Sequence, residues 1–112
     1  MNREELLQHH DKLTATAKEI MKKKNHDYAG QKGDHPFANF ERTETMGVCT
    51  TEQGFLVRVV DKVSRLSTFV SAGELKVDNE SYEDAVLDII NYMILFSAYI
   101  STKEDKDWSY GE

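Results

Sequence analysis

Cysteine and proline are nearly missing from this 112-residue chain, which has one of each, Cys49 and Pro36. A single cysteine excludes an intramolecular disulfide and any zinc site built on cysteines, and it fits a reducing cytoplasm. Cys49 has no base beside it in sequence and reads as structural. Bases are outnumbered, with 14 Lys and Arg against 20 Asp and Glu for a net charge of −6. That balance excludes general DNA or RNA binding, which needs a basic face. It leaves room for a small phosphorylated ligand in a local basic pocket. No run approaches the ~20 apolar residues of a membrane span. The start, MNREELLQHH, has no apolar signal core. P-loop, dinucleotide-fingerprint, zincin and serine-elbow motifs are all missing, which removes the corresponding enzyme classes. No two-residue alternation long enough for a sheet occurs, and no internal repeat.

What is present is helical periodicity. Residues 2–24 place Leu6, His10, Leu13, Ala17, Ile20 and Lys24 on one face, with Asn2 as a cap and Glu4 and Glu5 in the first turn. The basic run Lys22, Lys23 and Lys24 reads as a solvated helix end. Residues 25–35, NHDYAGQKGDH, have turn chemistry and are expected to form a loop. Pro36 suits the first turn of a short helix over 36–46, capped by Asp34 or His35, burying Phe37 and Phe40 and stopped by Gly47. Thr50 and Gln53 stand at capping-box spacing before a helix over 51–71, which Gly73 ends. Its expected apolar arc is Phe55, Leu56, Val59, Val60, Val63, Leu66 and Val70. A fourth helix spans 80–101, capped by Asp78, Asn79 or Ser81, and a polar tail follows to residue 112. The expected fold is all-α: one domain, 1–101, of four helices.

Two polar stripes interrupt these apolar helices. On the fourth, Asp84, Asp88 and Asn91 fall within about 60° of one another at 100° per residue. A helix apolar almost all round is normally buried, and a buried carboxylate needs a partner. The third helix offers Arg58, Asp61, Lys62 and Arg65 in i, i+3, i+4, i+7 register. Consecutive helices joined by a short loop are usually antiparallel neighbours, so the stripes would face each other. One reading is structural: salt bridges such as Arg65 with Asp84 or Arg58 with Asp88. The other is a phosphate site, with Asp61, Asp84 and Asp88 holding Mg²⁺ and Arg58, Lys62 and Arg65 holding phosphates. Asp27, Tyr28, Asn39 and Asn91 would then contact a nucleobase. Glu41 and Glu44 form a carboxylate couple of the kind common on exposed helices, and the histidines are scattered.

The segments NHDYAGQKGDHPFANFE, VRVVDKVSRL and ESYEDAVLDIINYMIL, in that order, resemble the phage and bacterial nucleotide-modification-associated domain, first type. The chain is also distantly similar to MazG-like all-α nucleoside triphosphate pyrophosphohydrolases. That resemblance implies an oligomeric MazG-like bundle, Mg²⁺ held by acidic residues on neighbouring helices, and a cytoplasmic setting, the host's if the chain is phage-encoded. Asp84 and Asp88 match the later acidic pair. At the earlier pair only Asp61 is acidic, with Arg58 where its partner would stand, and a site with fewer carboxylates and more bases holds phosphates directly and needs fewer metal ions. The resemblance therefore implies a nucleotide pyrophosphohydrolase or, alternatively, a non-catalytic binder that sequesters a cyclic or other signalling nucleotide. A structural interaction module is the third reading.

Overall fold

A computed structural model describes residues 1–28, 35–73 and 81–104, except for the side chains of 25–28. Among the described residues every regular element is a helix: α1 (Arg3–Tyr28), α2 (Ala38–Thr45), α3 (Thr51–Ala72) and α4 (Tyr82–Lys103). The all-α expectation holds for these residues. The polar tail, from residue 105 onward, lies outside them, as do Asp34, Asp78 and Asn79.

Local chemistry explains most boundaries. Thr50 caps α3 by accepting from Gln53 N–H, while the Gln53 side chain accepts from Thr50 N–H, which satisfies two otherwise unpaired donors. Ser81 and Asp84 form the same reciprocal box on α4. Gly47 and Gly73 end α2 and α3 at φ of +77° and +79°, a region that β-carbons disfavour. Two expectations are corrected. Helix α1 continues through residues 25–28, which turn chemistry had assigned to a loop. Helix α2 starts at Ala38 rather than Pro36, after a turn in which Phe37 supplies no side-chain cap. The His35 side chain, a candidate cap, instead lies 2.9 Å from Glu41 Oε1.

Helices α3 and α4 are antiparallel: Glu52 near the start of α3 pairs with Lys103 at the end of α4, and Phe69 contacts Tyr82 at their other ends. Helix α2 packs on α3, and α1 packs on α4. The centre is aromatic. Phe55 is fully buried, stacks on Phe40 with ring centroids 4.1 Å apart, and is met by Phe37, Phe96 and Tyr99 at 5.8 to 6.4 Å. Gly54 permits the approach of α2, since a β-carbon there would stand 3.1 Å from Thr43 Oγ1.

The expected apolar arc of α3 divides. Phe55 is buried, and Val59 and Leu66 half-buried, whereas Leu56, Val60, Val63 and Val70 are exposed. Helix α4 is likewise incompletely covered, with Met93 and Ile94 exposed. It is long and apolar enough to cross a membrane by length and composition, a test that the core helix of a soluble protein also passes.

Candidate functional site

One small pocket lies where all four helices converge. Its walls include Lys24 from α1, Asn39 from α2, Arg58 from α3, and Asp88, Asn91 and Tyr92 from α4. The cavity is about 50 Å³, space for a few waters, so any larger ligand must extend out through its mouth.

Asp88 is the electrostatic centre. Its Oδ1 accepts from Lys24 Nζ and its Oδ2 from Lys62 Nζ, each at 3.0 Å. The Asp88 and Lys62 side chains are only 16 and 15% exposed. Burial alone would push the Asp88 carboxyl up, but the two ammonium hydrogen bonds outweigh it and hold it below its usual value. This clamp joins α1, α3 and α4 at one atom group. Neither salt bridge expected from the sequence, Arg65 with Asp84 or Arg58 with Asp88, is the one formed.

Asn91, one turn on, is buried at 6% exposure. Its Nδ2 donates to the Ala17 carbonyl at 2.8 Å, which fixes the amide orientation, while its buried Oδ1 accepts nothing among the described residues. A buried acceptor left without a donor costs about 1–3 kcal/mol. Arg58 is exposed at the pocket wall, its guanidinium carbon 5.9 Å from the Phe40 ring centroid. Among the described residues no carboxylate pairs with it. Asn39 Oδ1 accepts from Arg42 Nη1 at 3.1 Å.

The structure therefore brings together Asn39, Arg58, Asp88 and Asn91 of the expected set, with Lys62 on the far side of Asp88. It does not bring Asp61 or Asp84 to them as a metal cluster: among the described residues no three His, Cys, Asp or Glu side chains are grouped to hold a metal. Asp61 is exposed and pairs with Arg65 on its own helix at 3.6 Å. Asp84 Oδ2 accepts from Ser81 N–H at 2.9 Å, so it caps a helix. Asp88 is already neutralised by two ammonium groups that would repel a cation. These described carboxylates do not fit a Mg²⁺ site as they stand. The side chains of Asp27 and Tyr28 lie outside the described residues.

Lys24 and Tyr92 are the site residues that sequence reasoning missed. A signal for Lys24 existed, since a lysine on the apolar stripe of α1 must either snorkel or find a carboxylate. For Asp84 the capping assignment has its own test. Replacing Asp84 with Ala is expected to lower stability by about 0.5–1 kcal/mol, the size of a lost cap. Urea unfolding with and without Mg²⁺ should give the same decrement; a decrement that appears only with Mg²⁺ would return Asp84 to a metal role.

No family model, curated protein or solved structure matches the chain.

Proposed function

We propose that the chain binds a small phosphorylated ligand, a nucleotide, at the mouth of this pocket, and holds it without cutting it. The observation that carries the reading is the pairing of two unmatched groups in one wall. Arg58 presents a guanidinium without a carboxylate among the described residues. Asn91 presents a buried carbonyl oxygen without a donor. Arginine is suited to phosphate by its planar fork of donors, and the Phe40 ring, 5.9 Å from the guanidinium carbon, adds a cation–π contact on its inner side. A base amino group is the kind of donor that would satisfy Asn91, with Tyr92 as an aromatic wall and Asn39 as a second amide. The small cavity favours a ligand whose phosphates stay at the surface and only one edge enters.

Retention is favoured over hydrolysis because each described carboxylate assigned to metal is occupied: Asp61 by Arg65, Asp84 by the α4 cap, Asp88 by two lysines. The Mg²⁺-dependent pyrophosphohydrolase reading rests on the family resemblance. A sequestering role for a signalling nucleotide shares the geometry proposed here.

Titration calorimetry with nucleoside mono-, di- and triphosphates and cyclic dinucleotides, with product analysis, tests the proposal. Binding is expected without Mg²⁺, the ligand is expected back intact after denaturation, and Arg58→Ala should weaken it about 10- to 100-fold, the range of a charge-assisted contact. Mg²⁺-dependent pyrophosphate release would establish the hydrolase instead. Failure of every nucleotide to bind would leave the polar stripes as structural salt bridges.

A further inference from the structure

Two lysines converge on one carboxylate in this site, and only one of them faces the pocket. Lys24 reaches Asp88 Oδ1 from α1, and Lys62 reaches Oδ2 from α3, each at 3.0 Å. Their surroundings differ. The Lys62 side chain is 15% exposed and does not line the cavity, whereas Lys24 is 41% exposed and does. One ammonium group already balances the charge of Asp88. Lys62 cannot leave without stranding a charge among packed side chains. Lys24 can leave at little cost, because a half-exposed ion pair adds about 5-fold or less to an equilibrium constant. Its flexible four-carbon stem lets the ammonium swing while the backbone stays where it is.

Helix α1 also has a second hold on α4. Ala17, about two turns before Lys24, is 1% exposed, and its carbonyl accepts from the buried Asn91 amide at 2.8 Å. Moving the Lys24 ammonium therefore leaves α1 seated. Arg58 lines the same cavity from α3, so the pocket has a cation on each of two helices.

We propose that Lys24 is a second phosphate-binding residue, held on Asp88 until a phosphate group reaches Arg58 and then handed over to that phosphate. The role rests on phosphate binding at the pocket mouth, as proposed above, and specifies how the site responds to it. A terminal phosphate carries a charge of about −1.5 to −2 and three acceptor oxygens, against the single charge of a carboxylate that already has Lys62. That difference sets the direction of the exchange. Asp88 keeps Lys62 throughout, so no half-buried carboxylate is left bare. Lys24 supplies a mobile point charge and Arg58 a planar fork, two kinds of contact that one phosphate group can take together.

Nuclear magnetic resonance with inorganic pyrophosphate tests the exchange. In the unaltered chain the Lys24 side-chain nitrogen signal, assigned by its loss in Lys24→Gln, is expected to move much further than that of Lys62 as pyrophosphate is added. Broadening of the pyrophosphate phosphorus signal reads the affinity. Lys24→Gln should weaken binding about 5-fold, the upper end for a half-exposed ion pair, and Lys24→Arg should retain it. Lys18→Gln, on the exposed face of α1, should leave it unchanged; an equal loss there would reduce the effect to net charge and overturn the proposal. Asp88→Asn should strengthen binding by a similar factor when Lys24 is present and have no effect in the Lys24→Gln chain, a dependence that a purely structural lysine would not produce. If the Asp88 variants fail to fold, the two lysine signals of the unaltered chain still decide. A Lys24 signal that stays in place while pyrophosphate binds, or full affinity in Lys24→Gln, overturns the exchange and leaves the Arg58 site standing. Failure of pyrophosphate to bind the unaltered chain also overturns the exchange, and failure of every nucleotide as well removes the phosphate site with it.

Discussion

Phe55→Ala should cost about 3–5 kcal/mol, the range for emptying a fully buried aromatic site. Phe55 is the largest side chain with no exposure, and its ring meets four others drawn from two stretches of chain: Phe37 and Phe40, and Phe96 and Tyr99. Removing it takes away both transfer energy and edge-to-face contacts, and helices pinned on several sides cannot collapse into the gap. Single domains hold about 5–15 kcal/mol in total, so the variant should lie near the edge of folding. Phe55→Leu, which keeps most of the volume, should cost less than half as much. Urea midpoints with an unchanged slope measure both. A loss below 1 kcal/mol for the alanine variant would show that the aromatic cluster is not the core. The consequence reaches the pocket as well. Phe55 backs Phe40, whose ring lies 5.9 Å from the Arg58 guanidinium carbon, so the leucine variant should bind phosphate ligands more weakly while remaining folded.

How far the sequence reveals this molecule depends on whether a feature is local. Helix ends set by Thr50 with Gln53, by Gly47 and by Gly73 are legible because the interactions span a few residues. The Ser81–Asp84 box was equally local, yet Asp84 also fitted a metal stripe, and only coordinates show its oxygen facing the backbone. The loop expected over residues 25–35 fails in its first four positions because an established helix propagates at little cost through Asn, His and Asp. The Asp88 clamp is not legible, since Lys24 and Asp88 lie 64 residues apart and their meeting depends on how α1 crosses α4. The apolar arc of α3 was legible as an arc, but a helical wheel does not say which half the same chain covers. Phe55 and Leu66 turn inward, while Leu56, Val60 and Val63 are left for something else.

Asp88 is where stability and the candidate site share atoms, and replacing it is expected to separate them. Asp88→Asn or Ala leaves Lys62, 15% exposed, without its carboxylate. Breaking a buried ion pair from one side costs about 3–5 kcal/mol, and the residual exposure here reduces that to about 2–4 kcal/mol. Lys62→Met combined with Asp88→Leu should recover much of the loss, because no unpaired charge then remains next to the core, and Lys24, more exposed, can turn to water. The pH dependence follows from the lowered carboxyl. A group whose folded value lies below its unfolded value of 3.8 stabilises the fold fully above that value and stops doing so as pH falls through the folded value. The unaltered chain should therefore lose stability from about pH 5 downward, and Asp88→Asn should flatten that slope. Ligand binding then discriminates the roles. If Asp88 served a metal, Asp88→Asn would abolish Mg²⁺-dependent chemistry. If it serves as the clamp described here, the asparagine variant, once folded, should hold a phosphate ligand at least as well, since Lys24, which lines the pocket, is released from the carboxylate. Calorimetry on that variant at pH 7, with urea midpoints run in parallel, reads both effects from one protein.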